Sequence, residues 1–245
     1  MGRGGGRNRG RSQFLGDDSP RNWLRRSGSL CRGWCGCVSG FAGFLPAAAL
    51  TFYDLALLSP TYIEFFTQFI VGLFTYLLVW LTMLRHSRFT FLSTLEHEIT
   101  HCIFAWLTLN KVTGLRATLR DGGRMTFTGA SNWLISTAPY FFPTVTVLLL
   151  VVFVFIDSSW KAVMFGLIGV SIAYHVTSTW AETHHAQTDL RESGFVFCLL
   201  FLPTANFMCY TLILSYLESG LKGLGLVLHS LWMHHYNPIV LLAAY

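Results

Sequence analysis

The chain is 245 residues long, 53% hydrophobic and only 12% charged. A soluble domain carries about twice that charged fraction, so the composition excludes an ordinary water-soluble enzyme and predicts an all-α polytopic membrane protein. The net charge of +5 is lopsided, because eight of the 17 Lys and Arg residues fall within the first 32 positions.

Residues 1–37 are rich in Gly and Arg and read as a basic, disordered tail. The positive-inside rule puts such a tail in the cytoplasm. It offers no packed aromatic platform for bases, so a nucleic-acid partner is not expected. Cys31, Cys35 and Cys37 lack a fourth ligand at finger spacing and read as free thiols.

Residues 38–245 form the expected membrane domain. Residues 38–58 are apolar but broken by Pro46 and Asp54, as in a span or a re-entrant segment. Residues 62–84 are a clean span, closed by Arg85 and Arg88. Residues 89–109 are long enough to cross a bilayer of about 30 Å. Residues 132–156 are strongly apolar, and Pro139 and Pro143 predict a kink. Residues 160–180 and 194–217 are further spans, the latter interrupted by Pro203, Thr204 and Asn206. Residues 221–245 span the bilayer or lie at its surface. The expected total is about six spans in contact with lipid.

Within 89–109 stands His97-Glu98-Ile99-Thr100-His101, a His-Glu-x-x-His motif. Helical residues four apart share a face, so both imidazoles reach one metal ion. The glutamate between them is then placed as general base on a water at that metal. Ionisable groups are costly near lipid, which argues for a function here.

Residues 111–130 differ from everything around them. They alternate apolar and polar and contain Asp121-Gly122-Gly123, which predicts a β-hairpin. An open sheet edge is not tolerated in lipid, so this hairpin belongs at a membrane surface or in a cavity. Its free edge suits an extended peptide added as a further strand.

From HEITHCIFAWLT through KVTGLRATLRDGG to NWLISTAPYFFP, the chain resembles the site-2 protease family of intramembrane zinc metalloproteases. The likeness is good over residues 89–145 and loose to about 195. It implies a zinc-dependent endopeptidase acting on a membrane-embedded protein or peptide substrate. It also implies a third ligand, an aspartate on a later segment, since a catalytic zinc takes three protein ligands and a water. The family's Leu-Asp-Gly and Asn-Pro patterns with an aspartate attached are missing here. The best remaining candidate is Asp189 in HHAQTDLRESG.

A rival arrangement stays open. If the helix runs on past Trp180, then Ser178, Glu182, His185 and Asp189 share one face. His185 or Glu182 would then be the third ligand, with Asp189 orienting it. A different class, the membrane di-iron oxygenases and desaturases, needs His-x-x-His-His boxes. At His184-His185 and His234-His235 the upstream position holds Ala181 or Leu231, so both boxes fail. A non-catalytic membrane protein that keeps the fold would have no need of Glu98.

Overall fold

The computed structural model describes residues 60–84, 90–118, 122–183 and 187–236. The expected tail over 1–37 with its three cysteines, the apolar segment 38–58, and Arg85, Arg88, Asp121, His184, His185 and residues 237–245 lie outside the described residues.

The described chain is helical apart from one hairpin. Helix α1 (Pro60–Thr82) is followed by α2 (Thr90–Leu107), strands β1 (Lys111–Thr118) and β2 (Gly122–Thr128), and the short α3 (Trp133–Thr137) with a 3-10 turn Ala138–Tyr140. Then come α4 (Thr144–Val154), α5 (Lys161–Glu182), α6 (Thr188–Ser193), α7 (Phe195–Ser219) and α8 (Leu221–Tyr236).

Three stretches are long and apolar enough to cross a membrane: Ile63–Thr82, Ser158–Glu182 and Phe195–Ser219. A fourth is added if Trp133–Tyr140 and Thr144–Val154 are one span, broken by a bend of 76°. The expected six are therefore not reached among the described residues. Helix α2 falls short because Glu96, His97, Glu98 and His101 occupy its middle. The bend matches the expected kink, and its cause is local. Pro143 cannot donate a backbone hydrogen bond, and α4 starts directly after it without a side-chain cap of its own. A side chain on α2 substitutes, since the Val145 amide donates to Glu96 Oε1 at 3.2 Å. Thr100 and Thr144 hydroxyls meet alongside at 2.5 Å.

Helices α1 and α5 approach closely through small residues. A Cβ on Gly72 would overlap the Gly166 carbonyl, and one on Gly169 would overlap the Phe69 carbonyl. Backbone-to-backbone approach of this kind is how helices associate where lipid removes the hydrophobic drive. Phe69, Phe165, Ile168, Ile172, Ile213 and Leu217 fill the core between α1, α5 and α7. Outward-facing Phe74, Leu78, Leu148, Val152 and Leu199 remain exposed, as in a surface solvated by acyl chains.

The hairpin is antiparallel, with Leu115 opposite Met125, Thr118 opposite Gly122 and a register shift between Val112 and Gly114. Gly122 and Gly123, expected in the turn, are instead paired residues of β2. Alternation turns Met125 and Phe127 inward, where they join Cys102, Phe104 and Ala105 of α2. The hairpin thus lies against the helix that carries the His-Glu-x-x-His motif.

Candidate metal centre

Helical spacing puts His97 and His101 on one face of α2, their rings 4.7 Å apart between centroids. The third group arrives from far along the chain. Helix α5 ends at Glu182, and Thr183 leaves helical geometry with φ −78° and ψ 89°. The chain re-enters a helix at Thr188, and Asp189 stands in the first turn of α6. Leu190 beside it is buried in the core with Ile135, Phe197 and Cys198, which fixes this short helix against α3 and α7. Asp189 is 3% exposed, and its Oδ2 lies 3.4 Å from both His97 Nε2 and His101 Nε2.

The far nitrogens of both rings are already committed. His101 Nδ1 donates to the Ile135 carbonyl at 2.8 Å. That carbonyl is positioned because Asn132 caps α3, its side chain accepting from the Ile135 amide at 3.0 Å. His97 Nδ1 donates to Glu182 Oε2 at 2.8 Å, and the Ser93 hydroxyl holds the other Glu182 oxygen. With Nδ1 carrying the proton, each Nε2 keeps its lone pair. Two ring lone pairs and a carboxylate oxygen then converge in a buried place, with ligand atoms all within 4.8 Å of one another.

Such a donor set suits a cation. Zinc with arms of about 2.0–2.2 Å separates tetrahedral neighbours by about 3.3 Å. The nitrogen-to-oxygen separations of 3.4 Å match this. One carboxylate and two imidazoles describe a mononuclear site, and it is the one group of this kind among the described residues.

Glu98 is 7% exposed and sits on the same helix between the two histidines. Gly123 of β2 covers it so closely that a Cβ there would collide with the Glu98 side chain.

The continuous helix that the rival arrangement over Ser178, Glu182, His185 and Asp189 needs ends at Glu182. Glu182 reaches the outer nitrogen of His97 and not the point where Asp189 and the two Nε2 atoms meet. His185 lies outside the described residues. Ser93, the Ile135 carbonyl and Tyr140, whose ring stands edge-to-face on His97 at 5.2 Å, were not legible in the sequence. Ser93 alone left a trace, four residues before His97 on the same helical face.

The Peptidase M50B-like family model matches residues 69–185. This match agrees with the resemblance to the site-2 proteases. The chain is an integral membrane protein with candidate spanning helices. The match runs from within α1 to just past α5 and stops before Asp189, so that residue stands beside the histidines on geometry alone. No curated protein and no solved structure matches the chain.

Proposed function

We propose that the protein is a zinc-dependent intramembrane endopeptidase that hydrolyses a membrane-anchored protein substrate. The observation that carries this is the convergence of His97, His101 and Asp189 beside the buried carboxylate of Glu98. The match to a peptidase family model supports it.

His97 and His101 would hold zinc through Nε2 and Asp189 through Oδ2. When bound, zinc supplies Lewis acidity that lowers the pKa of a water and polarises a carbonyl. Glu98 takes a proton from the attacking water and passes it to the departing amine. Zinc binding alone does not need that carboxylate. Glu182 and Ile135 keep the two rings in the tautomer that leaves Nε2 free. The substrate segment must unwind, since a helix hides its carbonyls in hydrogen bonds. A free edge of the hairpin is suited to hold the unwound strand near Glu98.

Detergent-purified protein should carry about one zinc per chain, as a single His-His-Asp site allows. Glu98→Gln should keep the metal and lose cleavage of a transmembrane substrate, since an amide accepts no proton. Two irons per chain, or retained cleavage in Glu98→Gln, overturns the reading.

A further inference from the structure

A buried hydroxyl almost always has a hydrogen-bond partner. Tyr140 is fully buried, yet its hydroxyl has none among the described residues. Other buried polar atoms share this condition, including His175 Nε2 and Ser193 Oγ. Tyr140 differs in its setting. Its ring stands edge-to-face on His97, at 5.2 Å and 88°.

The ring is also held in place. Tyr140 ends the 3-10 turn that starts at Ala138, directly before the 76° break in the span. Its carbonyl accepts from Asn206 Nδ2 at 2.8 Å, which ties the turn to α7. Asn206 is in turn held at Oδ1 by the Tyr210 hydroxyl, at 3.2 Å. A polar residue inside an apolar span is thereby explained: Asn206 anchors the backbone of Tyr140. The result is a donor fixed beside the reacting centre before substrate arrives. Donors of that kind stabilise charge in a transition state without reorganising.

We propose that Tyr140 is a catalytic residue whose hydroxyl donates a hydrogen bond to the scissile carbonyl oxygen as that oxygen becomes an oxyanion. The inference rests on the peptidase reading of the site. As the water oxygen bonds to the carbonyl carbon, the C=O π pair moves onto the carbonyl oxygen. The water proton goes to Glu98. Tyr140 keeps its own proton and shares it as a hydrogen bond. When the C–N bond breaks, the oxygen's electron pair re-forms the carbonyl, and Glu98 delivers the proton to the amine.

Tyr140→Phe keeps the ring against His97 and removes only the donor. In full-length protein it should keep wild-type zinc content and lower kcat about 100-fold, with KM changed less than about two-fold. A phosphinic peptide, which carries a tetrahedral anionic centre, should bind about 100-fold more weakly to Tyr140→Phe. The uncleaved substrate should bind equally well to Glu98→Gln with and without Tyr140→Phe. Wild-type kcat and phosphinic affinity in Tyr140→Phe overturn the proposal. So does loss of zinc, which would make the hydroxyl a support for Asp189. If Glu98→Gln is inactive while Tyr140→Phe cleaves normally, the peptidase reading stands and the Tyr140 role falls. If Glu98→Gln cleaves, both fall.

Discussion

Each functional side chain here is defined by what holds its far end. His97 and Glu182 form a pair in which the carboxylate fixes ring orientation and raises the basicity of Nε2. Glu182 also separates ligand from support in a testable way. Glu182→Ala should lower zinc affinity about 10–100-fold, the usual cost of losing a partner behind a metal-binding histidine. Asp189→Ala should cost more, because it removes an ionised donor from the site itself. Glu182→Gln, which keeps an acceptor for Nδ1, should restore part of the loss. Competition against a fluorescent zinc chelator measures all three. If Glu182→Ala empties the site while Asp189→Ala only loosens it, the two carboxylates have exchanged roles.

Among the elements, the hairpin lying on α2 is the most consequential contact. Met125 and Phe127 anchor β2 to the helix, and this brings Gly123 down onto Glu98. Only a residue without a side chain fits there. Gly123→Ala puts a methyl group where the Glu98 side chain now lies, so the carboxylate has to move. A displacement of about 1 Å at a reacting group costs up to about 100-fold in rate. Gly123→Ala should therefore cut cleavage at least about 10-fold, while zinc content, set by the histidines and Asp189, stays at the wild-type level. Full activity in this variant would show that Glu98 tolerates relocation. The short α6 makes the complementary contribution from the other side. Its six residues, closed by Gly194 at φ 93°, exist as a separate helix and so carry Asp189 back to α2.

At the scale of the whole molecule, α1 and α5 form the frame on which the site depends, because α5 ends at Glu182. Their approach is set by Gly72, Gly166 and Gly169. Gly169→Leu forces the helices apart at the Phe69 carbonyl. Overpacking of this sort costs about 1–3 kcal/mol, and backbone that must move puts it at the upper end. The variant should show a lower thermal midpoint in detergent. It should also lose zinc affinity, since Glu182 moves with α5. An unchanged midpoint would mean that the two helices do not need their close approach.

The sequence by itself determined the membrane class, the helix that carries the His-Glu-x-x-His motif and the existence of the hairpin. All of these are local: helical spacing four, apolar runs and strand alternation depend on neighbours a few residues apart. It also carried the family resemblance, since element order along the chain survives without coordinates. What lay beyond it was any contact between distant segments. Asp189 could be named only alongside Glu182 and His185, because the sequence did not show that the helix ends at Glu182. The expected spans are not all reached among the described residues for a related reason. An 18-residue helix with ionisable groups in its middle has the length of a span, but burying those groups takes partners from other helices. The tautomers of both histidines were decided by Glu182 and by a backbone carbonyl on α3. Tyr140 and Asn206 looked like interruptions in apolar segments until the bent span folded them against His97 and α7. Tertiary structure alone decides such pairings, because hydrogen bonds and ring contacts across about 30 to 100 residues leave no periodic trace in the chain.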